Sequence, residues 1–312
     1  MLIVRFTDQF RIEKPSIVTI GTFDGVHLGH GQIMSRLKFL KEKTGYQTVV
    51  LTFEPHPRTV LFPDQRDLKL LTTTEEKLNL LEQAGVDVTV VYPFSKTFAA
   101  MDSDQYLRRI LVNSLNVKHL VIGYDHRFGN NRTGNIETLK QFADELGYSI
   151  EEISAHDIDQ ITISSTKIRK ALEEGRLSLA NEFLGHPYTL EGRVVYGKQL
   201  GRTIGYPTAN LEVLEPLKLI PGNGVYFVNV TALGANFFGM MNIGTNPTTD
   251  KDGLRKIEVH LFDFNGDLYG KRITIQLLNR IRNEQTFASL EELKQAIAND
   301  EVIARKWMSP IP

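Results

Sequence analysis

Apolar residues in the first half of the chain fall into short β-branched runs separated by stretches of helical period. Ile17 to Ile20, Val49 to Phe53, Val86 to Tyr92 and His119 to Ile122 read as strands. After Gln32, Ile33, Leu37 and Leu40 recur at the spacing of one helix face. Glu75 to Gln83, Asp104 to Leu115 and Asn135 to Leu146 read as further helices. Strands alternating with helices predict a parallel, doubly wound sheet. Ligands of such a sheet sit beyond the carboxyl ends of its strands, where Gly21, Phe53 and Gly123 fall.

The pattern then changes. Thr166 to Glu174 and the residues up to Phe183 read as two helices with Gly175 between them, and Leu184 to Tyr188 breaks the period. Beyond it Thr189 to Val195, Gly224 to Val230, Phe237 to Ile243, Ile257 to Phe262 and Arg272 to Leu278 read as strands. Turn signals at Pro221 to Gly224, Asn246-Pro247 and Asn265-Gly266-Asp267 separate them. Many short strands with Gly/Pro turns predict a small antiparallel β-barrel. One closing helix follows, Leu290 to Ala298, where Ser289-Leu290-Glu291-Glu292 fits a capping box. The expected fold is therefore α/β and then mostly β, with a Rossmann-like domain over residues 1–184 and a barrel domain over residues 185–312.

Charge narrows the partners. Lys and Arg number 36 against 37 Asp and Glu, a formal net charge of -1, which provides no broad basic field for nucleic acid or an anionic membrane. Any phosphate binding is local. The absence of cysteine excludes disulfides and thiolate chemistry. With no long apolar run, the expectation is a soluble cytoplasmic protein that engages small molecules as a monomer or weak homo-oligomer.

Local chemistry concentrates in a few strings. His27 and His30 stand three residues apart at the mouth of the first helix, after the turn Gly21-Thr22-Phe23-Asp24-Gly25. Two imidazoles at a positive helix end suit a transferring phosphate, though the spacing also fits two solvent-facing histidines. Ser164, Ser165 and Thr166, followed by Lys167 and Arg169, make either a second anion site for a departing pyrophosphate or a plain helix cap. Phe53, Pro55, His56 and Pro57, and the string Gly123 to Gly129 with Asp125 and Arg127, offer rigid walls for a planar ring.

In the second half, Arg193 to Asn210 reads RVVYGKQLGRTIGYPTAN. Thr208 and Asn210 are two apart, so on an extended backbone they point the same way and offer two hard oxygens to one Mg²⁺. Gly197, Gly201 and Gly205 leave backbone N–H groups open to phosphate; a Gly/Pro hairpin between strands explains the string equally well. Glu258 alternates with Ile257 and Val259, which turns its carboxylate to the barrel surface and, on pattern alone, to solvent.

GTFDGVHLGH with ISSTKIR, and GRTIGYPTAN with PGNGVYFVNV, NIGTNPTT and IEVHLFDFNGDLYG, resemble the prokaryotic bifunctional riboflavin kinase/FAD synthetase family over nearly the whole chain. The resemblance implies phosphorylation of riboflavin to FMN by ATP in the second half, then adenylylation of FMN by a second ATP in the first. It implies that His27 and His30 stabilise the transferring α-phosphate, with Gly21, Phe23 and Asp24 in the adjoining turn. Ser164, Ser165, Thr166 and Arg169 then hold the β- and γ-phosphates, while Phe53, Pro55, His56, Pro57, Asp125 and Arg127 line the FMN and ATP site. In the second half it implies Mg²⁺ on Thr208 and Asn210, nucleotide against Gly201, Arg202, Gly205 and Pro207, Glu258 as general base, and Arg282 in a segment that folds over the flavin. His126, Tyr196, Leu200 and Thr249 depart from the family's usual residues. An enzyme with one activity, the other half only binding flavin, is the alternative reading.

Overall fold

The β-branched runs of the first half pair side by side in parallel. The computed structural model describes residues 1–64, 68–123, 128–129, 134–153, 163–197, 200–245 and 255–308. These divide into two compact units, Met1–Ser165 and Thr166–Pro312.

The first unit is built on six strands: β1 (Leu2–Arg5), β2 (Ser16–Ile20), β3 (Gln47–Glu54), β4 (Val88–Pro93), β5 (Val117–Gly123) and β6 (Ser149–Ile153). They lie in the order β1-β4-β3-β2-β5-β6, every neighbouring pair parallel. The chain leaves β2 toward β3 on one side and returns to β5 on the other, so the order reverses at the β2 and β5 ends. That switch point is where a doubly wound sheet opens a crevice. Both faces are covered, which is why its strands are apolar on both sides. Ile17 packs with Ile33, Met34 and Leu37 of the helix Leu28–Thr44, whereas Val18 and Ile20 join Leu107, Ile110, Leu111 and Leu139 on the opposite face. Each such buried side chain contributes about 1.5–3 kcal/mol of transfer free energy.

Three features differ from the periodic reading. The edge strands β1 and β6 were not expected. The stretch read as one helix over Asp104 to Leu115 is a short α-turn, Ser103–Gln105, continuing as a π-helix, Tyr106–Ser114. The first helix begins at Leu28, four residues before Gln32, with His27 as its N-cap.

In the second unit the helices Ser165–Glu173 and Leu177–Leu184 precede β7 (Tyr188–Val195), β8 (Ala209–Glu212), β9 (Gly224–Ala232), β10 (Ala235–Thr245), β11 (Arg255–Leu261) and β12 (Arg272–Arg282). The strands close a barrel in the order β10-β11-β8-β7-β12-β9, all pairs antiparallel. The Leu177–Leu184 helix is tied to it: Asn181 donates to Leu277 O at 2.9 Å and accepts from Tyr188 N at 2.8 Å. On β11 Ile257, Val259 and Leu261 point inward and are buried, while Lys256, Glu258 and His260 point outward.

The closing helix runs Leu290–Met308, ten residues beyond Ala298. Ser289 Oγ accepts from Glu292 N at 3.2 Å, but the Glu292 carboxylate accepts from Ala288 N rather than Ser289 N, so the capping box is half formed.

Candidate functional site

Two residue constellations carry chemistry, one in each unit. In the first, the turn leaving β2 is bent into a shape few side chains adopt. Phe23 and Val26 have φ of +48° and +39°, conformations that cost on the order of 1–3 kcal/mol each for residues with a Cβ. Its surroundings hold it. Asp24 Oδ1 accepts from Leu71 N at 2.9 Å and Thr72 N at 3.1 Å, and Gly25 N donates to Thr72 Oγ1 at 3.1 Å. Phe23 is buried beneath the turn among Ile17, Ile33 and Leu37. Asp24 is 4% exposed. Both residues therefore shape the loop from inside.

The turn delivers His27 and His30 as a stacked pair, ring centroids 3.7 Å apart and planes 16° from parallel, with Phe23 edge-on to His30 at 5.1 Å. Burial above all, then the neighbouring His27 and Lys77, holds His30 well below the ordinary histidine range, so it is neutral at pH 7. Its Nδ1 is buried without a hydrogen-bond partner among the described residues. A neutral imidazole at a helix N-terminus donates to an anion without taking its proton. Ser165 Oγ donates to Asp24 O at 3.0 Å, so the serine string reaches the same turn. Thr166 and Arg169 follow on the helix Ser165–Glu173.

Phe53, second to last in β3, makes edge contacts with Phe94 and lies 5.9 Å from Phe98, a partly buried aromatic group at the strand ends. Pro55 lies between β3 and the helix Pro57–Leu61, whose first residue is Pro57. His56 caps that helix, its Nδ1 accepting from Arg58 N at 3.2 Å. A Cβ on Gly21 would press against the Phe23 ring at 3.1 Å, so a side chain there requires the ring to give way slightly. Asp125, His126 and Arg127 lie outside the described residues, as does Thr249 in the second unit.

In the barrel unit a cleft of about 700 Å³ gathers Gly201, Thr208, Asn210, Glu258 and Arg282. Asn210 is the cross-strand partner of Glu258 in β8 and β11, and Asn242 flanks Glu258 from β10. Burial raises the Glu258 carboxyl above the ordinary glutamate range, opposed in part by Lys256. Small residues let the donors approach: a Cβ on Gly197 would meet the Asn210 carboxamide, and one on Gly201 would meet Tyr206 O. Phe287, Leu290, Leu293 and Ile297 supply an apolar part of its lining.

The other sequence candidates surround this cleft. Arg202 sits on the helical turn Leu200–Thr203; Arg202, Gly205 and Pro207 are exposed and lie outside the cleft lining. Gly205 supplies a backbone φ of +87°, but its N–H is directed at Arg202 O at 3.4 Å, so it is not open as expected. Pro207 O accepts from His260 Nδ1 at 2.8 Å. The Arg282 guanidinium is engaged by Asp300 of the closing helix, Nε to Oδ1 at 2.9 Å and Nη2 to Oδ2 at 2.8 Å. Sequence reading overlooked Asn242, Arg255, Glu284 and Phe287 in the cleft, and Lys77 in the first unit. Asn242 shares the outward alternation of its strand with Glu258, the one local signal available.

Comparison with known proteins agrees with this division. The family model described as FAD synthetase matches residues 9–167, and that described as riboflavin kinase matches residues 184–308. The bifunctional riboflavin kinase/FMN adenylyltransferase of Escherichia coli (strain K12) is 42% identical over 297 residues, covering 95% of this chain and 93% of the relative. The protein of the same name from Buchnera aphidicola subsp. Schizaphis graminum is 38% identical, covering 96% of each chain. A crystal structure described as a macrolide-efflux protein from Streptococcus pneumoniae superimposes with a TM-score of 0.89 at 31% identity, covering 98% of this chain and 100% of that one. No helix among the described residues is long and apolar enough to cross a membrane. On the identity and coverage of these relatives, the chain belongs to the bifunctional riboflavin kinase/FMN adenylyltransferase family.

Proposed function

We propose that the barrel cleft transfers the γ-phosphoryl group of ATP to riboflavin, and that the His27/His30 site then joins the resulting FMN to AMP from a second ATP. The observation that carries this reading is the pairing of Asn210 with a half-buried, proton-avid Glu258 across β8 and β11 in a cleft lined in part by apolar side chains. Such a cleft suits a flavin ring beside a triphosphate.

In the kinase step Glu258 accepts the proton of the ribityl 5′-hydroxyl as that oxygen bonds to the γ-phosphorus and ADP departs. Glu258 is suited to this because a carboxyl raised by burial is a stronger base than an ordinary glutamate. Thr208 and Asn210 present a hydroxyl and a carboxamide, with no cluster of three carboxylate, histidine or cysteine ligands among the described residues. That donor set fits Mg²⁺, which takes few protein ligands and completes its shell with phosphate and water. When bound, Mg²⁺ neutralises phosphate charge. Gly201, Arg202, Gly205 and Pro207 shape the loop toward ATP, and Arg282 fixes the closing helix over the flavin.

In the adenylyl step a phosphate oxygen of FMN attacks the α-phosphorus of ATP and pyrophosphate leaves. His27 and His30 donate to the α-phosphate as its charge grows. Ser164 and Ser165, with Thr166 and Arg169 further along, hold the departing group. Phe53, Pro55, His56 and Pro57 line the flavin and nucleotide site beside the turn of Gly21, Phe23 and Asp24, and Asp125 and Arg127 are assigned to the same binding role. We assign the adenylyltransferase to residues 1–184 and the kinase to residues 185–312, acting in the cytoplasm as a monomer or weak homo-oligomer. Glu258→Gln is expected to lower riboflavin phosphorylation by roughly 10²–10⁴-fold while supplied FMN is still converted to FAD; His30→Asn does the reverse. Loss of both activities in either variant contradicts two separate sites.

A further inference from the structure

Lys77 is a charged residue that the adenylyl chemistry above does not use, yet it is 7% exposed. Lysines are rarely buried so far without a carboxylate in direct contact. Its ammonium instead donates to two neutral oxygens, Thr22 O at 3.1 Å and Thr52 Oγ1 at 3.0 Å. Thr52 Oγ1 in turn donates to Thr22 O at 3.3 Å. Two donors, the Lys77 ammonium and the Thr52 hydroxyl, thus converge on Thr22 O at the start of the strained turn that ends at His27. The far side of the turn is fixed by Asp24 on Leu71 and Thr72, immediately before the helix Thr74–Gln83 that carries Lys77.

We infer that Lys77 is a positioning residue for adenylyl transfer: its ammonium, with Thr52, clamps Thr22 and so sets the place of the His27/His30 pair. The inference rests on reading those histidines as the adenylyl-transfer donors. A buried ammonium near His30 resists a second positive charge there. The groups facing His30 are the stacked His27 ring, the Phe23 edge and Lys77, while the carboxylates of Asp24 and Glu54 act on Lys77 itself. Burial brings Lys77 down to about 8, so it is largely charged at neutral pH. Removing the ammonium lets His30 gain a proton more readily, and the acidic limb of the reaction moves to higher pH.

The test uses the full chain. FMN-dependent pyrophosphate release from ATP is measured from pH 5.5 to 9 for Lys77→Met and Thr52→Val, with riboflavin phosphorylation assayed on the same preparations. Thr52→Val keeps the volume of the side chain and removes only its hydroxyl bonds. Expected are a fall of at least tenfold in adenylylation kcat for Lys77→Met, with its acidic limb displaced upward, and a severalfold fall for Thr52→Val. KM for FMN and the riboflavin phosphorylation rate stay unchanged in both. Should Lys77→Met lose its unfolding transition, Thr52→Val alone decides. A parallel His30→Asn protein separates the two levels. If His30→Asn is slow but both clamp variants keep wild-type rate and pH profile, the inference is overturned alone; if His30→Asn is as active as wild type, the functional reading falls and takes the inference with it.

Discussion

At the scale of single residues, Glu258 separates pattern from environment. Its alternation in β11 marks an outward-facing carboxylate, and so it is, but the outward side is the floor of a cleft rather than open water. Burial raises its carboxyl, so the base loses activity on acidification sooner than an ordinary glutamate. The acidic limb of riboflavin phosphorylation is therefore expected above the usual carboxylate range of about 4.3, and a limb at or below that value contradicts the assignment. Gly197 offers a second check, because the space a Cβ needs is held by the Asn210 carboxamide. Gly197→Ala is expected to lower phosphorylation kcat by up to about 10²-fold through displacement of one donor, with FMN adenylylation unchanged. Thr208 with Asn210, and separately His27 with His30, were legible as candidate pairs because each pair's spacing in the sequence brings its side chains near one another. Lys77 was not, because a lysine inside an amphipathic helix carries no local sign that it points inward.

Among the elements, strong periodicity was legible and tertiary support was not. β8 is four residues, Ala209–Glu212, too short a run for its alternation to be read as a strand, and it forms because β7 and β11 pair with it from both sides. The edge strand β6, Ser149–Ile153, carries two glutamates and only one buried side chain, too weak a pattern to read. The π-helix at Tyr106–Ser114 keeps its apolar face inward, so composition does not distinguish it from an α-helix. The closing helix looks finished at Ala298 because Asn299, Asp300 and Glu301 are polar; Asp300 is instead the buried partner of Arg282, its side chain 5% exposed. Removing one member of such a pair strands the other, at about 3–5 kcal/mol. Asp300→Ala is expected to lower the unfolding midpoint of the barrel unit and raise KM for riboflavin, whereas the weaker cap in Ser289→Ala costs only about 1 kcal/mol. Thermal unfolding with riboflavin titration separates the two; equal midpoints would contradict the clamp.

For the molecule as a whole, the two-part plan follows from a change of period. Strand-helix alternation gives way to strands alone, and the two compact units follow that change, with the helix beginning at Ser165 near the join. Each unit holds its own anion-directed constellation: the His27/His30 pair with Ser165 in one, and Thr208, Asn210 and Glu258 in the other. On the proposed assignment the product of the barrel site is the substrate of the first, so the reactions run in sequence. The most direct test is a chromatographic time course of the full chain with riboflavin, ATP and Mg²⁺, resolving riboflavin, FMN and FAD. The account predicts FMN rising first and FAD following, with Glu258→Gln forming neither product from riboflavin yet still converting supplied FMN to FAD. FAD failing to form from supplied FMN in the wild-type chain, or riboflavin phosphorylated at full rate by Glu258→Gln, would contradict it.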